Sequence, residues 1–95
     1  MIADTKVYLF SVHDSNSGYY NIPFFCGSGL EAKHRVRQML LEQNLTKDKL
    51  AGMTLELVGT FDYSNGKIFP WETFDSDVSP ELVCLLSDLL IKEVE

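Results

Sequence analysis

The sequence predicts a single α+β domain, with a small three-stranded sheet (strand, helix, β-hairpin), helices packed on one face of it and a C-terminal amphipathic helix. Three observations predict this fold class: a strand pattern near the N-terminus, a hairpin pattern in the middle, and two helix patterns with start signals. The 95 residues are 45% hydrophobic and include six Phe, four Tyr and one Trp. This composition is typical of a folded domain, but its core is small, so oligomerisation stays open.

The first element is a strand over residues 6–13, KVYLFSVH. Its apolar side chains alternate onto both faces, Val7 and Leu9 on one and Tyr8, Phe10 and Val12 on the other, which favours a central position in the sheet. A turn-rich loop follows at residues 14–18, and residues 19–26 form an extended aromatic segment that Pro23 interrupts.

A helix is predicted to begin after Ser28, because Ser28 and Glu31 have the spacing of a capping box. It runs to about Gln43. One stripe is formed by Ala32, Val36, Met39, Leu40 and Gln43. Residues 44–52 then contain a short helical turn or loop that starts at Thr46.

The strongest local pattern is a β-hairpin over residues 54–70, TLELVGTFDYSNGKIFP. Leu55, Leu57 and Phe61 are expected on one face, Asn65-Gly66 supplies the turn, and Pro70 can end the ladder. The strand order is open. If the first strand pairs in parallel with a hairpin strand, the crossover through the helix should be right-handed.

The last element is predicted as a helix over residues 79–94, because Ser79 can cap it, Pro80 suits the first helical position and Glu81 suits the first turn. Its apolar residues cover more than half of the helix circumference. Either this helix lies deep in its own domain, or it packs against a symmetry mate or another protein. The candidate oligomer or partner interface is Leu82, Leu85, Leu86, Leu89 and Leu90.

The charge is unevenly distributed. The net charge is −6, and residues 62–95 hold eight acidic side chains against only Lys67 and Lys92. A basic cluster on the first helix, Lys33, Arg35 and Arg37, could contact phosphates, while Tyr19, Tyr20 and Trp71 could stack on unpaired bases. The alternative is that these cations form the ordinary solvated side of an amphipathic helix. The overall acidity favours this alternative.

No pattern in the sequence is typical of an enzyme, a metal site or a cofactor site, so none of the three is expected. His13-Asp14 is a weak acid–base signal, and Cys26 before a helix start is better explained as a core residue. Neither cysteine belongs to a CxxC or Cys/His motif, and no segment is typical of a leader or a membrane span. We therefore expect a soluble intracellular protein.

Short motifs over about residues 6–72 resemble the small non-structural proteins of gokushoviruses, which are single-stranded DNA phages of the microvirus group. The corresponding segments are Leu9 to Asp14, Pro23-Phe24-Phe25, and Gly59-Thr60-Phe61-Asp62 through Gly66-Lys67-Ile68. Proteins of that family are commonly labelled DNA-binding. The resemblance implies a role at the change from duplex replication to single-strand synthesis and packaging.

Together these observations predict a small phage non-structural protein that acts in single-stranded DNA genome synthesis or packaging, in the cytoplasm of an infected bacterium. It would bind single-stranded DNA directly, or it would be an interaction adaptor or oligomeric scaffold without nucleic-acid affinity that docks through the C-terminal helix. The expected partners are single-stranded DNA, a second copy of the chain, and phage or host replication proteins. No membrane partner is expected.

Overall fold

The fold is a single antiparallel sheet with one long helix on one of its faces. The computed structural model describes residues 5–71 and 80–91. The strands are β1 (Lys6–Asp14), β2 (Tyr19–Tyr20), β3 (Phe24–Cys26), β4 (Met53–Asp62), β5 (Lys67–Pro70) and β6 (Glu81–Leu85). The helices are α1 (Gly29–Glu42) and α2 (Asp88–Ile91), and a short 3-10 helix lies at Lys47–Leu50.

The six strands occupy four rows of the sheet, because each outer row is divided between two short strands. β1 and β4 pair along their whole lengths and form the two central rows. The outer edge of β1 pairs with β2 at one end and with β3 nearer the other. The outer edge of β4 pairs with β5 along residues 59–62 and with β6 along residues 54–57. Every hydrogen-bonding edge of the two central strands therefore has a partner over most of its length.

The predicted α+β fold with a three-stranded sheet is wrong. The described residues form a mostly β structure with six strands, and all paired strands are antiparallel. Among these residues, α1 is the one helix of more than four residues. The parallel pairing considered for the first strand does not occur, since β1 and β4 run in opposite directions. The extra strands come from segments that look irregular in sequence but pair with an otherwise open edge of β1 or β4.

The predicted C-terminal amphipathic helix is also wrong over most of its described part. Residues 81–85 are strand β6, and helical geometry begins only at Asp88. Ser79 and residues 92–94 of the prediction lie outside the described residues. The segment ELVCL is a short apolar run, which suits either a helix or a strand. It forms a strand because it pairs with the part of the β4 edge that β5 does not reach.

The hairpin is confirmed, with one difference in the direction of its side chains. β4 and β5 pair from Gly59–Pro70 to Asp62–Lys67, and Gly66 has the positive φ of 76° that the turn requires. A register shift opposite Leu9 and Phe10 leaves Val58 as an extra residue in β4. Leu57 and Phe61 therefore point to opposite faces, whereas strict alternation places them together.

Helix α1 begins where the sequence predicts. The Ser28 side chain accepts a hydrogen bond from the Glu31 backbone N–H at 3.1 Å, and a Glu31 carboxylate oxygen accepts one from the Gly27 N–H at 3.1 Å. The first contact satisfies a donor that the first helical turn leaves free, and the second ties Glu31 to the residue before the cap. The start is thus determined by local contacts.

The core lies between α1 and one face of the sheet. Ala32, Val36 and Leu40 form the buried stripe of α1, and Met39, predicted in the same stripe, is exposed. They pack with buried side chains from the two central strands and from the C-terminal segment. These are Phe10, Val12, Leu55, Leu57, Leu86 and Leu89. The other face of the sheet carries no helix among the described residues.

Asp62 closes the turn between β4 and β5. Its Oδ1 accepts hydrogen bonds from the Ser64 hydroxyl at 2.6 Å and the Ser64 N–H at 3.0 Å. The Ser64 hydroxyl is the main cause that lowers the pKa of this carboxyl, with smaller contributions from the Ser64 N–H, Thr5 and Lys6 that outweigh the effect of burial.

Replacing Asp62 by Asn should therefore destabilise the protein in a pH-dependent way. The folded-state pKa is depressed, so the stabilisation is present above the unfolded-state pKa of about 3.9 and is lost as the pH falls through the folded-state value. In urea titrations, D62N should unfold at lower urea than the wild type at pH 7, and the gap should narrow as the pH falls below 4. The exposed Asp48→Asn is the control. A gap between D62N and the wild type that stays constant with pH would contradict this assignment.

Candidate functional site: the helix-free face of the sheet

One face of the sheet has no helix over it within residues 5–71 and 80–91, and we call it the helix-free face. Alternate residues of β1 point to this face, and the residues that pair with them in the neighbouring strands share it. Its members are Val7, Leu9, Ser11, His13, Tyr20, Phe25, Thr54, Glu56, Gly59, Phe61, Ile68, Pro70, Leu82 and Leu85. Apolar side chains predominate, which is unusual for a surface in contact with water.

The half of this face near β3 and β5 is apolar. The Phe25 and Phe61 rings lie 5.3 Å apart between centroids, with an interplanar angle of 30°. Leu9 pairs with Phe25 and is only 6% exposed, although it lies on the face opposite the helix. Ile68, which pairs with Phe61, remains 66% exposed. The aromatic pair thus covers one leucine and leaves its own outer surface in solvent.

The half near β2 has a polar centre built around the Glu56 carboxylate. Tyr20 donates its hydroxyl to Glu56 Oε1 at 2.8 Å, and Thr54 donates its hydroxyl to Oε2 at 2.6 Å. His13 Nδ1 lies 3.6 Å from Oε2, and the His13 and Tyr20 rings lie 4.4 Å apart. Three strands therefore contribute one cluster of hydrogen-bonding groups.

The cluster changes the chemistry of Tyr20. Its pKa is raised, mainly by burial and also by the hydrogen bond to Glu56 and the negative charge of that carboxylate. His13 was predicted only as part of a weak acid–base signal, and Glu56 was not among the predicted site residues. A charged residue alternating with Leu55 and Leu57 in a strand was the available signal, since it must point away from the core. The side chains of Tyr20 and His13, which contact Glu56, are distant from it in sequence, and no sequence pattern indicated these contacts.

The predicted phosphate contacts lie on α1, but on different sides of the helix. Arg35 Nη1 donates to the Phe25 carbonyl oxygen at 3.0 Å, and Nη2 lies 3.8 Å from the Glu31 carboxylate. Arg37 Nε donates to the Leu89 carbonyl oxygen at 3.1 Å. Lys33 acts electrostatically on Cys84 in β6, on the same side as Arg37. Arg35 thus faces β3, whereas Lys33 and Arg37 face the C-terminal segment.

The predicted base-stacking residues are also separated. Tyr19 and Tyr20 are successive residues of β2, 76% and 45% exposed, and point to opposite faces of the sheet. Trp71 packs edge-on against Tyr8 with the ring centroids 6.1 Å apart. Of the six predicted nucleic-acid residues, the structure brings only Tyr20 to the helix-free face.

A groove beside Arg35 joins a cation to apolar side chains. It has a volume of about 260 Å³ and lies between α1 and the segment that leads into β3. The Arg35 guanidinium lies over the Phe24 ring, with 5.7 Å from its carbon to the ring centroid. The other lining residues are Val12, Asn21, Ile22, Val36 and Met39.

The five leucines of the predicted interface fall into two groups. Leu86 and Leu89 are buried in the core of the monomer, and the half-buried Leu90 packs against that core. Leu82 and Leu85 are 59% and 45% exposed and lie on the helix-free face. The interface as a whole stays a prediction, with its solvent-exposed part confined to β6.

The two cysteines are free thiols. Cys26 is buried, and burial is the main cause that raises the pKa of its thiol, as it is for Cys84. Among the described residues, no three His, Cys, Asp or Glu side chains are grouped so that they could hold a metal ion. Over the same residues, no helix is long and apolar enough to cross a membrane.

Comparison with known proteins gives one family match. The family model described as Phage ORF5 protein matches residues 7–89, which include β4, α1, β6 and all but the first residue of β1. Neither the curated proteins nor the solved structures gave a match to the chain.

Replacing Glu56 by Gln should shift the titration of Tyr20. The substitution removes the negative charge and weakens the acceptor, so the raised pKa of Tyr20 should move back toward its ordinary value, while the part due to burial remains. Tyr20 can be followed by NMR of protein labelled at the tyrosine ring during a titration from pH 8 to 12. Glu42→Gln on α1 is the matched control. An unchanged Tyr20 titration in E56Q would contradict the hydrogen-bonded cluster.

Proposed function

Since the chain belongs to the Phage ORF5 protein family, we propose that it is a non-enzymatic, non-structural phage protein that serves single-stranded DNA genome synthesis or packaging by docking on another protein. The observation that carries this proposal is the helix-free face, where Phe25, Ile68, Leu82 and Leu85 are 45–66% exposed. The resemblance of its short motifs to gokushovirus non-structural proteins supports the genome-related process.

The composition of the face supports protein docking. Phe25, Ile68 and the partly buried Phe61 offer an apolar patch, and the Glu56 cluster beside it offers fixed polar groups. Protein interfaces combine these two features, with aromatic side chains at the centre and hydrogen-bonding groups that fix the orientation. Duplex or single-stranded DNA would need cations here. Lys and Arg are absent from the helix-free face as its described members define it.

The charge of the chain favours a basic partner. A net charge of −6 repels a phosphate backbone and attracts proteins that are themselves basic because they handle DNA. We therefore assign the partner to the basic, DNA-contacting proteins of the phage replication or packaging apparatus. Binding should weaken as the ionic strength rises, because part of the attraction is long-range.

The test is to titrate the full chain against each purified replication and capsid protein of the same phage by isothermal calorimetry. One of them should bind, and Phe25→Glu or Ile68→Glu should weaken binding at least about 30-fold, as expected for a central apolar anchor worth about 2 kcal/mol. Leu41→Glu is the matched control, because Leu41 is 47% exposed but lies on α1. Equal affinity for all three variants, or no binding to any of these proteins, would refute the docking function.

Direct binding of single-stranded DNA is the second candidate, and the groove beside Arg35 favours it. A cation next to an aromatic ring in a groove suits a nucleotide, whose base can stack while its phosphate contacts the cation. The cations Lys33 and Arg37 would have to act from the other side of α1. This route accordingly depends most on Arg35.

A labelled single-stranded oligonucleotide titrated at low and physiological salt tests this route. Lys33→Glu/Arg35→Glu/Arg37→Glu should abolish binding, and Arg35→Glu alone should weaken it and lower the slope of log affinity against log salt by about 1. Lys47→Glu/Lys49→Glu, on the exposed 3-10 helix, is the control with a similar charge change. Absence of binding by the wild type at low salt would exclude the route.

A further inference from the structure

Strand β6 has the properties of an edge that pairs with another strand. It pairs with β4 on one side, and among the described residues no strand lies on its other side. Proteins usually protect such edges with Lys, Pro, inward-pointing charges or β-bulges, and β6 has a register shift at Val83. The sequence ELVCL of β6 has one charged residue, Glu81, at its first position. Within the described part of the chain, the outward-pointing backbone groups of the four uncharged positions therefore have no strand partner.

The register of β6 determines which of its side chains share a face. Leu85 pairs with Thr54 and Leu82 with Glu56, so both leucines lie on the helix-free face. Cys84 pairs with Leu55 and faces the core. The register shift leaves Val83 as the extra residue, and its Cγ1 lies 3.8 Å from the position of a β-carbon on Gly29, which opens α1. Val83 and Cys84 are therefore both on the helix side.

We propose that two copies of the chain form a dimer by antiparallel pairing of their β6 strands, with the two-fold axis between Val83 and Cys84. In this register Leu82 of each copy lies opposite Leu85 of the other, and Val83 lies opposite Cys84. Directly opposite residues of an antiparallel pair share a face. A shift of one residue would place a leucine of the helix-free face against a residue of the helix side.

A second copy of the chain is the partner of the β6 edge because this strand is complementary to itself. In a two-fold interface, the same patch of both copies must be complementary to itself. The side chains of β6 are distributed between the two faces symmetrically about one point, which lies between Val83 and Cys84. The two exposed leucines of each copy would then form a cluster of four that is removed from water. The pairing joins two four-row sheets into one, and the helix-free faces become continuous. This inference does not depend on the proposed docking partner.

The association state of the full chain tests the dimer. Sedimentation equilibrium should give twice the chain mass of 10.8 kDa at high concentration. Leu82→Glu and Leu85→Lys should each give monomers with an unchanged far-ultraviolet circular dichroism spectrum, because both side chains are largely exposed. The control Ile68→Glu, on the same face but in β5, should remain dimeric while losing the docking partner, which separates this proposal from the previous one.

Mixing the two monomeric variants, L82E and L85K, tests the register. In a mixed dimer, the carboxylate introduced at position 82 of one copy would face the ammonium group introduced at position 85 of the other. The remaining leucine pair would be intact, so a 1:1 complex should form and weaken with salt. Amide exchange of the wild type gives a readout without variants, because protection in residues 81–85 should increase with protein concentration. A monomeric wild type at 100 μM and above, dimeric single variants, or a mixture that stays monomeric would each overturn the proposal.

Discussion

The antiparallel pairing of β1 with β4 is the constraint on which the other elements depend. It extends from Lys6–Asp62 to Asp14–Met53 and places two strands that are far apart in sequence at the centre of the sheet. Each central strand then has one free edge. Four short segments with little regular structure of their own pair along these two edges, and α1 covers the face that carries Phe10, Val12, Leu55 and Leu57. Among the described residues, no helix covers the opposite face.

Elements with local signals could be predicted from the sequence. The Ser28 cap, the 3-10 helix after Thr46 and the turn before β5 each depend on contacts between residues fewer than five positions apart. The strand β6 could not be predicted in this way. Its apolar run suits a helix as well, and the β4 edge that selects the strand lies about thirty positions earlier in the chain.

The candidate site shows the same limit. The aromatic segment before α1 and the histidine at the end of β1 were visible in the sequence, but the Glu56 cluster was not, because it joins β1, β2 and β4. Register shifts added a further difficulty. The extra residue Val58 turns Phe61 to the helix-free face, and the extra residue Val83 keeps Leu82 and Leu85 together on it. A single inserted position thus changes which side chains can form a surface.

The long separation between the two central strands also has a consequence for how the chain folds. The β4–β5 hairpin and α1 form from neighbouring residues, whereas the β1–β4 pairing must close a loop over residues 15–52, which includes β2, β3 and α1. Topologies governed by such distant contacts fold slowly. Until the loop closes, β4 exposes both hydrogen-bonding edges and its apolar side chains, so we expect aggregation of the newly made protein to compete with folding.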